Sequence, residues 1–338
     1  MNFIDKLDTS SQSPVYRQVM NLVVDAIRNK QLKKGDRLPS INELSRELSI
    51  AQGTALKAYS ELKNDGIIDS HQGKGFFVAS ENTQRNLNVF LLVDTLNQYK
   101  EILYNSFIEA LDPQTTIDIY FHHYNLKRFE KLIVENLGYY NYYVIMPHFN
   151  EDISGILRQI PPDKLILIDN EVNNLRGNHS AVYQNFKDDV YQSLKAGLPL
   201  ITKYDSLNLI LPKNHRFEFV PDDLIMGFKK FCTDHKIKFK VFDFLDTKKI
   251  VSGNAYLLTD DSDLVTALKY VSLQQWEPGK DIGLMCYDDT PVKEILAGGI
   301  TVISTDFKQM GITAADFIKG NKRGKIENPC MFTIRKSL

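Results

Sequence analysis

Over the first 80 residues the apolar positions recur with helical spacing. Tyr16, Val19, Met20, Val23 and Ile27 fall at i, i+3, i+4, i+7 and i+11, which puts them on one helix face. Ser13-Pro14 opens this helix, because proline's missing N–H costs nothing there, and Gly35 stops the chain after it. Ser40-Ile41-Asn42-Glu43 has the spacing of a capping box and predicts a second, short helix burying Leu44 and Leu48. Ser49-Ile50-Ala51 then makes a tight turn. A third helix is predicted from about Gln52 to Lys63, with Ala55, Ala58, Tyr59 and Leu62 inside, and Asp65-Gly66 ends it. Ile67, Ile68, Phe76, Phe77 and Val78 flank a polar, glycine-rich tip at 70–75, the pattern of two short strands and a turn. Two helices on a tight turn followed by a hairpin describe a winged helix-turn-helix.

Residues 81–88 are polar and without period, and read as a linker. Beyond them the pattern changes to a fully apolar run at 89–93 and short, mostly apolar runs at 117–121, 142–146, 164–168, 207–211, 255–259 and 282–287. Most are separated by helical stretches such as 190–196, 224–235 and 262–273. Alternating strands and helices imply an α/β fold with parallel sheets covered on both faces. So many strands exceed one small sheet, so two lobes with a ligand cleft between them are expected. The predicted organisation is a winged helix-turn-helix head at 1–80, a linker at 81–88, and a two-lobed α/β body at 89–338.

Composition narrows the picture. The 338 residues are 43% hydrophobic and 25% charged, enough apolar material for real cores. The net charge of −1 excludes a uniformly basic nucleic-acid coat. The head carries eleven basic against nine acidic residues, so DNA binding must rely on placement. No apolar run is long enough to span a bilayer, and the first eight residues alternate apolar and charged, unlike a secretory signal. Cys232, Cys286 and Cys330 are far apart and odd in number, which argues against a disulfide framework and for a reducing, cytoplasmic setting. No metal or cofactor is expected: His122-His123 lacks a third ligand at metal spacing, and Gly73-Lys74-Gly75 is too short for a phosphate loop.

Four blocks in order, Pro14-Val15-Tyr16, residues 35–40 (GDRLPS), residues 54–62 (TALKAYSEL) and Gln72-Gly73-Lys74-Gly75, resemble the DNA-binding head of the GntR family of bacterial regulators. The family usually has Ser-Arg where this chain has Ala51-Gln52, so different base edges are read there. Gln52 can pair bidentately with adenine, Thr54 can touch a thymine methyl or a phosphate, and Gly53 permits close approach. The resemblance implies phosphate contacts from Lys57, Lys74 and Arg37, with Ser40 beside them, and a wing tip, Gln72-Gly73, in the minor groove. Arg37 could instead pin the turn before Leu38-Pro39, and Lys57 alone would be an ordinary surface lysine. Heads of this kind pair up, so a homodimer on a palindromic double-stranded operator is expected.

Residues 278–282 (PGKDI) with 286–290 (CYDDT), residues 305–311 with Ala315, and residues 331–337 (MFTIRKS) resemble the effector domain of the LacI/GalR family, related to periplasmic sugar-binding proteins. The family often has arginine three residues before a Gly-Phe pair; here that pair is Gly227-Phe228 and the position holds Leu224, with Arg216 a possible substitute. Polar groups at strand carboxyl ends are the natural effector contacts. These are Asp94, Asn97, Gln98, His148, Asp169, Asn214, Arg216, Asp260 and Asp288. Asp169 and Asp260 could equally cap helices, and His148 could be a plain loop histidine. The combined resemblance implies a ligand-responsive repressor controlled by a small sugar such as arabinose or fucose. A carbohydrate-acting enzyme carrying a DNA-binding head is the alternative.

Overall fold

The computed structural model of the protein describes residues 7, 14–71, 73–81, 87–211, 221–320 and 322–338. Packing divides the chain into two units: residues 1–90, 114–118 and 131–142, and residues 91–113, 119–130 and 143–338.

The first unit begins with α1 (Val15–Arg28), α2 (Ile41–Glu47), α3 (Gln52–Asn64), β1 (Ile68–His71) and β2 (Gly75–Val78). The α1 stripe forms as spaced: Val19, Met20, Val23 and Ile27 are buried and Tyr16 half-buried. They share one core with Leu38, Leu44, Ala55, Tyr59, Leu62 and Val78. Tyr59 sits at its centre, edge-on to Phe76 at 4.8 Å, and its hydroxyl donates to the Pro39 carbonyl at 3.0 Å. The capping box at α2 is complete: Ser40 Oγ accepts from the Glu43 N–H, and the Glu43 carboxylate accepts from the Ser40 N–H at 2.8 Å. Ser49 turns the chain between α2 and α3 with a left-handed φ of 54°. β1 and β2 pair antiparallel from Ile68↔Val78 to His71↔Gly75.

From Asn88 the order is β3 (Asn88–Val93), α4 (Gln98–Ala110), β4 (Thr116–Phe121), α5 (Leu126–Asn136), β5 (Tyr142–Ile145), α6 (Ser154–Leu157), β6 (Leu165–Asp169) and β7 (Ser180–Tyr183). There follow α7 (Phe186–Ala196), α8 (Leu198–Ile201), β8 (Leu207–Ile210), α9 (Asp222–Asp234), β9 (Phe239–Phe242), β10 (Ala255–Leu258), α10 (Asp261–Leu273) and β11 (Gly283–Tyr287). The chain closes with β12 (Thr301–Thr305), α11 (Phe307–Ile318), β13 (Lys325–Glu327) and β14 (Cys330–Thr333). The strands form two six-stranded sheets, ordered β13-β7-β6-β5-β3-β4 and β14-β12-β11-β10-β8-β9. In the second sheet β9, β8, β10, β11 and β12 run parallel, and β14 lies antiparallel on β12.

The apolar strand runs follow from burial on both faces. Leu207, Leu209, Leu257, Met285 and Ile303 point into one core, with Phe228 and Phe231 of α9. Their neighbours Ile210, Tyr256, Leu258, Leu284 and Val302 point into another, with Leu264 and Val271 of α10. Period-two alternation between two apolar cores leaves no polar face, as parallel sheets require. Strands β7, β9, β12 and β13 lie outside the runs expected from the sequence.

The chain passes between the sheets three times: after β7, after β12, and between β13 and β14. After β12, α11 packs on α4 and on β6 and β7 of the first sheet. Gly311 makes that approach possible, since a Cβ there would lie 2.2 Å from Ser106 Oγ. Asn328, 2% exposed, ties the crossings together. Its N–H donates to the Tyr183 carbonyl at 2.7 Å, and its amide donates to Thr305 Oγ1 at 2.7 Å and to the Asp306 carbonyl at 3.0 Å.

Candidate functional site

Two surfaces carry the candidate chemistry. On the head, α3 begins at Gln52, so Gln52 and Gly53 stand exposed at its first turn, with Thr54 half-buried behind them. Lys57 is exposed, its ammonium 4.2 Å from the centre of the Tyr16 ring. That cation–π contact holds the charge without neutralising it, leaving it available to a phosphate. Arg37 is exposed and pairs with Phe77 of β2 as an isolated bridge. Gly73 at the wing tip has φ 75° and open space where a Cβ would be, and Lys74 beside it is exposed. Ser40 has a different employment, since its hydroxyl caps α2. Gln72 lies outside the described residues.

The second surface is a cavity of about 390 Å³ within the second unit, between the carboxyl ends of the strands of the two sheets. Of the residues expected to contact an effector, Asn97, Gln98, His148, Asp169, Asp260 and Asp288 line it. Asn97 and Asp260 also cap α4 and α10, accepting from the Lys100 and Asp263 N–H groups. Asn214 and Arg216 lie outside the described residues.

Asp94 corrects its expectation: it is fully buried and is not among the residues lining the cavity. Its carboxylate is taken by Lys100, by the Thr95 N–H, and by His148 Nδ1 at 2.7 Å. The other nitrogen of His148, Nε2, lies 2.7 Å from Asp169 Oδ2. Burial opposes a charge on His148, but the two carboxylates prevail and raise its pKa to about 9. Burial likewise opposes a charge on Asp94, yet His148 and Lys100 hold its carboxyl well below the usual range. His148 is therefore no plain loop histidine. It is an imidazolium clamped between two buried carboxylates.

The network runs on. Gln184 donates its amide to Asp169 Oδ1 and accepts from the Tyr287 hydroxyl at 3.3 Å. Asp169 and Asp288 both hold left-handed backbones at strand ends, φ 73° and 59°. Such conformations are sparsely populated outside glycine and persist where surroundings impose them. The adjacent Asp289 is spent structurally in a bidentate pair with Arg335, at 2.9 and 2.7 Å. Lys293, 2% exposed, donates to the Tyr287 and Asp288 carbonyls at 3.1 and 2.6 Å and lies 2.7 Å from Asp261 Oδ1.

Sequence reasoning missed Gln184, Asp261, Tyr287 and Lys293 on this wall, and the apolar Phe186, Leu224 and Phe307. Asp261 and Tyr287 adjoin predicted residues and could have been found from strand ends. Lys293 carries no sequence signal.

The chain matches the family "Bacterial regulatory proteins, gntR family" over residues 15–78. It is 31% identical over 98 residues to the HTH-type transcriptional repressor YtrA of Bacillus subtilis, an alignment spanning 29% of this chain and 75% of YtrA. In fold it is similar to a LacI family transcriptional regulator from Lactobacillus casei with bound glucose. There the TM-score is 0.60 and identity 13%, over 74% of this chain and 99% of that one. It is similar likewise to the lac repressor dimer bound to operator and an anti-inducer, with TM-score 0.60 and 14% identity, over 75% of this chain and 95% of that one. No helix among the described residues is long and apolar enough to cross a membrane. A GntR-type head followed by a two-lobed LacI-type fold is the architecture of a transcription regulator, and the chain belongs to the GntR family of bacterial regulatory proteins.

Proposed function

We propose that this regulator is a repressor that binds a palindromic operator as a dimer, and that a small sugar held between its lobes controls it. The observation that carries the reading is the cleft itself. Polar side chains from both sheets converge on one cavity, and the chain that forms it also carries a DNA-binding head. Gln52, Gly53, Thr54 and Lys57 present base-edge and phosphate contacts from α3, and Gly73 and Lys74 extend the wing. The glucose held by the L. casei regulator and the operator held by the lac repressor dimer support the same assignment for this fold. The sugar acts by preferring one lobe arrangement, and that difference in affinity is what shifts DNA binding. Arabinose and fucose are the first candidates, from the resemblance to sugar-responsive regulators of this mixed architecture.

The test is a gel-shift titration of the full chain on the DNA upstream of its own gene, with L-arabinose and L-fucose added in turn. Retarded DNA released by one sugar and not by the other is the expected result. Retardation insensitive to every sugar in the series would remove the sugar from the reading and leave the DNA-binding head standing.

A further inference from the structure

A buried lysine persists only where its charge and its donors are met. Lys293 lies in a short 3-10 helix, Pro291–Glu294, and is 2% exposed. Its ammonium meets three acceptors at two strand ends. The Tyr287 and Asp288 carbonyls, at 3.1 and 2.6 Å, stand where β11 ends. Asp261 Oδ1, at 2.7 Å, belongs to the first residue of α10, just past β10. A lysine has three N–H donors, so each has its own acceptor. β10 and β11 pair in parallel, with Leu258 against Cys286. The ammonium therefore ties together the loops that leave two adjacent strands.

Those loops carry Asp260, Asp261 and Asp288 to the cavity wall. Asp288 keeps a left-handed backbone, φ 59°, which needs imposing from outside at a residue other than glycine. The peptide before it is fixed by its own N–H, which donates to the Ile303 carbonyl of β12 at 2.8 Å. The peptide after it is fixed twice: Lys293 holds the carbonyl, and Ser304 Oγ accepts from the Asp289 N–H at 3.0 Å. Both backbone angles of Asp288 are thus set, and with them the direction in which its side chain leaves the strand. The other sheet meets the same need with backbone. Asp169, φ 73°, has its carbonyl held by the Gln184 N–H at 3.0 Å. At Asp288 a side chain five residues further on takes that part. Lys293 is itself anchored, because its carbonyl accepts from the Ile300 N–H at 2.8 Å, next to the start of β12.

We propose that Lys293 is a positioning residue of the effector site. It holds the ends of β10 and β11 so that Asp261 and Asp288 keep their places on the cavity wall, and it sets effector affinity through them. The proposal rests on the cleft being the effector site.

The experiment has two arms on the full chain. In the first, without ligand, amide hydrogen exchange is followed in peptides covering 259–264 and 286–291. Lys293→Met keeps much of the side chain's length and removes its charge and donors. It is expected to speed exchange at both strand ends about tenfold or more while leaving the head unchanged. In the second arm, L-arabinose and L-fucose are titrated calorimetrically into wild type, Lys293→Met, Asp288→Asn and the double variant. Lys293→Met is expected to weaken the bound sugar about tenfold, and the double variant to lose little more than Asp288→Asn alone, because both changes act through one side chain. Tyr256→Phe is the control: it removes a buried bond elsewhere on β10, lowers stability, and moves neither readout. Lys293→Gln takes the place of the Met variant if that one does not fold, since its amide still donates to one carbonyl. Unchanged exchange at both strand ends overturns the proposal. So do additive, independent losses of affinity from Lys293→Met and Asp288→Asn. Wild-type protein that binds neither sugar overturns it as well, by removing the effector reading beneath it, and the exchange result tells that failure from the first.

Discussion

Two buried histidines show how position, not residue type, sets charge. His122 is fully buried, and burial lowers its pKa to about 4, against a weaker pull from Asp94; its Nε2 lies 3.2 Å from the Met146 carbonyl. His148 has carboxylates on both nitrogens and is charged at neutral pH. Replacing His148 by Gln keeps the size but removes the cation, leaving Asp94 and Asp169 buried with one fewer counter-charge. The expected loss is about 3–5 kcal/mol in denaturant unfolding. The pH dependence has a definite sign. The folded pKa of His148 is raised from 6.5 to about 9, so its contribution is fully present below pH 6.5 and is lost as pH rises through 9. Wild-type stability should decline across that window, and His148→Gln should lack this component; parallel curves would show that His148 is not the group responsible. On the other surface, Gln52 is exposed where the α3 N-terminus presents it. Gln52→Ala is expected to relax base preference at one operator position by about 1–3 kcal/mol. An equal loss on all sequences, measured with a set of operator variants, would contradict direct readout.

Elements were more legible than individual side chains, and the reasons differ between the two halves. In the head, local rules and packing agree. The helical spacing from Tyr16 to Ile27 and the S-x-x-E box became α1 and α2 with the predicted faces inside. Ser40, read also as a DNA neighbour, is the cap that starts α2, so Ser40→Ala should cost the head about 1 kcal/mol. A melt monitoring α1–α3 checks this; an unchanged melting point with weakened DNA binding would restore a DNA role to its hydroxyl. In the two sheets, mostly apolar runs marked the strands buried between two cores, and their carboxyl ends pointed to Asp169, Asp260 and Asp288. The charged network behind them was not legible. Lys100 reads as an ordinary helical lysine, yet it is 3% exposed because α4 turns it towards Asp94. Its partner depends on how two strands and a helix meet in space, and no spacing along the chain encodes that.

At the scale of the whole two-sheet body, the polar network spans from one sheet to the other. Asp169 ends β6 and Gln184 follows β7 of the first sheet, whereas Tyr287 ends β11 of the second. The orientation of the Gln184 amide is fixed chemically. An ionised carboxylate only accepts, so the –NH2 must face Asp169 and the carbonyl oxygen is left for the Tyr287 hydroxyl. The chain crosses between the sheets three times, and Asn328 bonds to Tyr183, Thr305 and Asp306 there. A hydroxyl bonded across the sheets holds one lobe arrangement against the alternatives, and a ligand entering the same cavity competes for both its partners. Tyr287→Phe removes that bond at nearly constant volume and should release about 1 kcal/mol of bias, roughly fivefold in the ratio of lobe arrangements. Spin labels on the outer surfaces of the two lobes of the full chain would then report a wider distance distribution without any ligand. Tyr256→Phe is the control. Its hydroxyl is also buried, bonded to the Val251 N–H and the Lys249 carbonyl, but within one lobe. Loss of stability in both variants with widening only in Tyr287→Phe assigns the effect to the bond between the sheets. The same widening in both, or in neither, would mean that the bond from Tyr287 to Gln184 does not set the lobe arrangement.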